Sequence, residues 1–290
     1  MKENSVQKWI KWIFNIDRKV VYLFMLLAVS LPFFLKPVVK MKTTKWVEAS
    51  YQLIEEAAEK NKPIMISFDF DPSTLAELQP MAIGLLRHAF SKNVKVFGIS
   101  FIIQGTALAA DMMDTVAKEY NKEYGIDYVM MPYMISPDLV IISMGTDIRS
   151  SYTKDYRGTD INKIKIFEGI QNFNDFQMVA SISGTSMPKW FVVYGVTKFK
   201  FNFIAGVTAV SATEYYTYLQ TGQMKGFLAG MKAAAEYESL IKISGDAMRG
   251  MASQSWGHLT IIFFIIFGNI LFYLKKWFDK KEEQEERGAK

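Results

Sequence analysis

Residues 63–101, PIMISFDFDPSTLAELQPMAIGLLRHAFSKNVKVFGISF, hold the pattern from which the fold is read. Residues 63–70 form an apolar run without alternation, the composition of a strand buried on both faces. Asp71-Pro72 follows at once, a capping residue and then a proline at the first helical position. Leu75, Leu78, Met81/Ala82, Leu85/Leu86 and Ala89/Phe90 then recur at helical spacing, and Val94–Phe101 is a second unalternated run. Strand, helix and strand in such quick succession predict a parallel crossover unit.

The same rhythm extends outward. A helix is predicted from Thr44 to Asn61-Lys62-Pro63 and another over Thr106–Tyr124, with strands at 127–133, 139–144, 177–182 and 201–208. A helix follows Pro188, and Ser211-Ala-Thr-Glu214 has the spacing of a capping box that opens another. Residues 224–243 read as one long helix whose Gly226, Gly230 and Ala234 form a row suited to close packing, within the domain or between subunits. The fold class expected is therefore α/β, a doubly wound, mostly parallel sheet of Rossmann-like or flavodoxin-like type. Residues 149–176 interrupt the alternation and are expected to be a lid, a binding loop or a partner-contact segment.

Two stretches lie outside this body. Val20–Leu35 carries no charge and is bounded by Lys19 and Lys36, and Leu259–Leu274, equally uncharged, runs into Lys275-Lys276. Sixteen residues make about 24 Å of helix, slightly less than the ~30 Å hydrocarbon layer, and flanking residues can supply the rest. Buried core helices and, for the first stretch, a cleaved leader are the competing readings. All-round apolarity speaks against the former, and a long leading segment without a small-x-small site against the latter. The expected organisation is an amphipathic interfacial segment at 1–19, transmembrane helices at 20–39 and 256–274, an α/β domain at 40–250 and a charged tail at 275–290.

Charge is placed unevenly. Twelve of the 34 basic and seven of the 29 acidic residues fall within 1–36 and 275–290, leaving 22 of each between. An electroneutral body argues against a nucleic-acid partner despite the net charge of +5. By the positive-inside rule the basic flanks predict cytoplasmic termini and an extracytoplasmic domain in the cell membrane. With no cysteine, disulfides and thiolate chemistry are excluded.

In open parallel sheets ligands gather at the strand carboxyl ends. The candidate ligand-binding residues there are Asp69, Asp71, Ser73, Ser100, Asp147, Arg149, Ser183, Ser186, Thr208 and Ser211, although such residues also serve simply as caps. Asp69-Phe70-Asp71 resembles the opening motif of haloacid-dehalogenase-type phosphatases, which implies a nucleophile, an acid/base and magnesium. Ser73 and the absence of a later acidic pair depart from that pattern, leaving Asp69 and Asp71 as the candidate metal ligands. Ser183-Gly184-Thr185-Ser186 is no nucleophile elbow, and neither His88, read as a surface residue near a helix end, nor His258, beside the second anchor, completes a triad. No phosphate loop, dinucleotide fingerprint, zinc or EF-hand motif occurs, so no cofactor is expected.

Ser67-Phe-Asp-Phe70, Gly145-Thr-Asp-Ile-Arg149, Thr208–Glu214, Tyr218–Gln223 and Gly226–Glu238 together resemble a family of prokaryotic two-transmembrane-helix proteins without an assigned activity. That resemblance implies the layout and no catalytic residue. The expected function is a membrane-anchored module that binds a protein partner or small ligand, as part of an envelope complex or homo-oligomer. The second reading is a metal-assisted phosphohydrolase or transferase, with Arg149 clamping an anion. A transporter is disfavoured, because two uncharged anchors offer no substrate path.

Overall fold

The computed structural model describes residues 17–35 and 41–288, and most of the predicted amphipathic segment lies outside them. It divides into two units, Val38–Met248 and the pair Met1–Pro37 with Arg249–Lys290. The larger unit is a six-stranded parallel sheet: β1 (Ile64–Asp69), β2 (Val96–Ile99), β3 (Tyr128–Met130), β4 (Met178–Ser183), β5 (Phe203–Val207) and β6 (Gly226–Ala229). The strand order β3-β2-β1-β4-β5-β6 reverses direction between β1 and β4. This is the doubly wound, Rossmann-like sheet that the apolar runs predict.

The period-2 alternation of each strand sorts its side chains onto two buried faces. Ile64, Ile66 and Phe68 share one face with Val96, Gly98, Ala180, Ile182, Ile204 and Gly206. Gly98 lies against Met113, and Gly206 against Met81. Helices thus cover this face, namely α2 (Lys45–Glu59), α3 (Leu75–Ser91), α4 (Ile103–Glu119) and, after β6, α8 (Gly230–Leu240).

The other face carries Met65, Phe97, Val129, Val179, Phe203 and Phe227, and an unusual cover. The β3–β4 crossover supplies α5 (Pro137–Met144) and four 3-10 turns, Ile148–Ser150, Ile161–Lys163, Lys165–Phe167 and Phe173–Asp175. Tyr152, Ile161, Ile166, Phe167 and Phe173 are buried there, and Phe97 meets Phe167 and Phe176 edge-on at 5.1 and 5.0 Å. After β4, α6 (Met187–Trp190) continues through a π-helical stretch Phe191–Val196 and completes the layer. The insertion 149–176 is therefore core rather than lid. Its buried aromatics Tyr152, Phe167, Phe173 and Phe176 stand where a crossover helix would otherwise pack.

Three other expectations are corrected. The apolar run 139–144 is part of α5, because Pro137 starts a helix and the run is equally apolar on every side. Residues 224–243 are β6 followed by α8, split at Gly230, whose φ of +65° breaks the helix and whose added Cβ would meet Ala209 Cβ at 2.7 Å. The Ser211–Glu214 motif is a 3-10 turn without a side-chain cap, ahead of α7 (Tyr216–Gln220), and Glu214 pairs with Lys189 instead.

The smaller unit holds two helices long and apolar enough to span a membrane, α1 (Arg18–Leu35) and α9 (Asp246–Gly288). Val29 O accepts the Ser253 hydroxyl at 2.7 Å, Phe24 meets Phe264 edge-on at 6.2 Å, and Val20 and Val21 share a groove with Phe267 and Leu271. The helices therefore run antiparallel, which brings Arg18-Lys19 and Lys275-Lys276 to the same end of the pair.

Arg149 pins the crossover in place. Its guanidinium donates to Asn162 Oδ1 at 3.1 Å, to Phe167 O at 3.0 Å and to Ile170 O. Hydrogen bonds to a charged group are worth roughly 1.5–3 kcal/mol when buried, and for this half-exposed guanidinium solvent offsets most of that sum. Arg149→Met is expected to lower the domain's stability by about 2 kcal/mol. Faster hydrogen exchange confined to residues 147–176 should accompany that loss, and unchanged exchange there would refute the pinning role.

Candidate functional site

The reversal of strand order puts the candidate site at the carboxyl ends of β1 and β4, where Asp69 and Ser183 are paired in register. Asp69 closes β1 with its side chain on the crossover-covered face, below the surface and 0% exposed. Its carboxylate accepts from Ser67 Oγ at 2.6 Å, from the Phe101 amide at 2.8 Å and from Ser181 Oγ at 3.4 Å. Burial pushes its pKa up to about 6, and those three hydrogen bonds restrain the rise. The Tyr152 hydroxyl, buried and without a hydrogen-bond partner among the described residues, belongs to the same neighbourhood. Burial raises its pKa, and the Asp69 charge adds to the effect.

Ser67, Ser181 and Tyr152 were not among the residues singled out from sequence. The two serines were legible in principle. Met65-x-Ser67-x-Asp69 and Val179-x-Ser181-x-Ser183 place polar groups at alternate positions on one face of adjacent strands. Tyr152 carried no such signal, because the insertion shows no periodicity.

The other candidates are mostly engaged in shaping turns. Asp71 Oδ1 accepts from the Ser73 amide at 2.8 Å and its hydroxyl at 2.6 Å, bonds that lower the Asp71 pKa. Ser100 Oγ reaches Phe68 O at 2.7 Å and Ile102 O at 2.9 Å. Ser183 Oγ donates to Asp69 O at 3.2 Å and accepts from the Thr185 amide at 3.0 Å. Thr208 Oγ1 donates to Ser211 Oγ at 3.1 Å, and Ser186 is exposed with no side-chain cap. Asp147 caps the Arg149 amide at 3.0 Å and, with Arg149, sits beyond α5 rather than at a strand end. The structure thus gathers Asp69 and Ser183 with Ser67 and Ser181, and separates Asp147 and Arg149 from them.

Backbone approaches close the crevice further. A Cβ on Gly105 would stand 2.4 Å from Phe68 O, and one on Gly184 would stand 2.8 Å from Thr74 Cγ2. Glycine at both positions lets the starts of α4 and of the β4 loop press onto the end of β1. Among the described residues no group of three or more His, Asp or Glu could hold a metal ion. His88 is buried rather than superficial. It stacks on Tyr51 at 4.4 Å and lies 2.7 Å from Tyr237 Oη and 3.0 Å from Glu55, whose charged form Lys92, Tyr51 and His88 favour over burial, bringing its pKa to about 2.

Large apolar side chains, by contrast, stand exposed on the segments leaving the strand ends. Ile103 follows β2, Ile135 and Leu139 follow β3, and Val210 follows β5, with Ile135 at 70% and Val210 at 87% exposure. No protein-family model, curated protein or solved structure matches the chain.

Asp69 fixes a pH test. Its folded-state pKa of about 6 lies above the unfolded value near 3.8, so the folded state binds the proton more tightly. That contribution is complete below about pH 4 and is lost as pH rises through about 6, costing up to roughly 3 kcal/mol. Asp69→Asn keeps an acceptor for Phe101 and removes the buried charge. It is expected to be more stable than the parent at pH 7 by up to about 3 kcal/mol, with the difference vanishing near pH 4. Chemical denaturation across that range would refute the assignment if the two curves stayed parallel.

Proposed function

We propose that the chain is a membrane-tethered binding module. An extracytoplasmic α/β domain, held by two membrane-spanning helices, engages a protein partner of an envelope assembly through the apolar edge at its strand carboxyl ends. The observation that carries this reading is the reversal of expected polarity there. Polar groups are consumed in caps and turns, while Ile103, Ile135, Leu139 and Val210 face solvent. Exposed apolar surface beside strand ends whose carboxylates are buried or committed to turns favours association over chemistry. The metal-assisted hydrolase reading gains no support from a fully buried Asp69 and a capping Asp71. The tethering supports the localisation, since the basic flanks Arg18-Lys19 and Lys275-Lys276 share one end of the helix pair, as the positive-inside rule requires.

Photocrosslinking side chains placed at Ile135 and Val210 in cells are expected to yield one discrete adduct, and one placed at exposed Lys60 none. Ile135→Glu with Leu139→Glu should reduce adduct formation at Val210 at least tenfold while leaving the thermal transition in place. Absence of any adduct at both rim positions would end the reading. Orientation has its own measurement, because the chain lacks cysteine. Lys60→Cys should react with an impermeant thiol reagent from outside intact cells, and reaction only after lysis would reverse the topology.

A further inference from the structure

The outward side of α9 presents a seam with one polar residue in its middle. Asn269 is exposed, and its amide nitrogen donates to Ile265 O at 2.7 Å, leaving Oδ1 and a second N–H without a protein partner among the described residues. Asn269 lies about 4 Å along the helix from the midpoint of the uncharged stretch 259–274. Five residues separate it from Phe264, which meets Phe24 of α1, so at 3.6 residues per turn the amide points about 140° away from α1. The same side carries a shallow groove lined by Ile265, Ile266, Asn269, Ile270 and Tyr273. Ile262, Ile266, Asn269 and Tyr273 are spaced four, three and four apart, the repeat that keeps a seam facing a second helix in a left-handed pair.

We infer that α9 of a second copy of this chain packs in parallel along this seam, with the two Asn269 amides hydrogen-bonded to each other within the lipid. The inference rests on the proposed tethering, which places α9 in a bilayer. An amide is both donor and acceptor, so an identical amide satisfies both of its free groups. A two-fold axis along the membrane normal puts the same residue of each copy at the same depth, which is the geometry one asparagine per helix requires. Left against hydrocarbon, those groups would stay unsatisfied, and a polar residue at a single seam position also sets the register of the pair. A helix of another protein would have to bring its own polar group to that depth. The α1 side is already occupied, which leaves the Asn269 side as the free one.

Because the chain has no cysteine, single substitutions report proximity without background. Ile262→Cys, Ile266→Cys, Asn269→Cys and Tyr273→Cys are made in the full chain, with Phe263→Cys as the position off the seam. Oxidation in native membranes is expected to give a disulfide-linked species of twice the 33.2 kDa monomer mass at the seam positions and little at Phe263. Asn269→Leu should weaken self-association in mild detergent roughly tenfold, the scale of an interhelical amide bond. Protection of all five positions from an impermeant maleimide on both sides of the membrane, with no seam disulfide, would overturn the interface and leave the tether standing. Equal crosslinking at Phe263 would overturn it as random collision. Free labelling of residues 262–273 would instead show that α9 is outside the lipid, and both readings would fall together.

Discussion

A single carboxylate enclosed between a sheet and its aromatic cover sets the conditions for the packing around β1. Asp69 stands at the switch point, where an open α/β sheet ordinarily leaves a crevice, and here the crevice is filled. Ser67, the Phe101 amide and Ser181 supply three hydrogen bonds that favour the ionised form, and burial outweighs them and raises the pKa. An apolar residue of similar size would avoid the desolvation cost. The arrangement persists because Asp69 ties the end of β1 to the β2–α4 turn and to β4, joining the two halves of the sheet where their connections diverge.

The neighbourhood leaves neither carboxylate of the Asp69-Phe70-Asp71 motif free. A nucleophile or metal ligand must reach a substrate, and Asp69 is sealed beneath the crossover while Asp71 is committed to its turn. Most of the polar strand-end residues serve turns, and large aliphatic side chains, Ile103, Ile135, Leu139 and Val210, stand exposed beside them. Burial of such side chains is worth about 25 cal/mol per Å² removed from water, without directional demands.

The parallel sheet was legible because strands buried on both faces lose alternation, and runs such as 63–70 and 94–101 have few other uses. Where the sequence misled, a tertiary contact decided. Residues 139–144 read as strand by composition, and the all-apolar helix they form is sandwiched in the crossover layer. Gly226 became strand because β5 offers a pairing edge and an unsubstituted Cα fits beside Ser50, where a Cβ would stand 2.2 Å from Oγ. The capping role of Asp71 was visible in Asp-Pro itself. The convergence of Tyr152 on Asp69 was not, since it depends on how an aperiodic insertion folds back over the sheet.

Near both ends of the larger unit the chain is held by one helix, α8, through two buried acids two residues apart, Glu236 and Glu238. Glu236 accepts the Thr44 amide at 2.8 Å, just ahead of α2. Glu238 accepts the Ala247 and Met248 amides at 3.1 and 2.8 Å, satisfying free donors in the first turn of α9. Burial raises the Glu238 pKa and these amides oppose the rise, so ionisation and capping are coupled. Gly245 is needed for the approach, because a Cβ there would lie 2.1 Å from Glu238 Oε1. α8 itself packs on α3 and α2, where His88 bridges Tyr237 of α8 to Glu55 of α2. Both ends of the larger unit are thus tied to the helical layer behind the sheet rather than to the edge strand β6 alone.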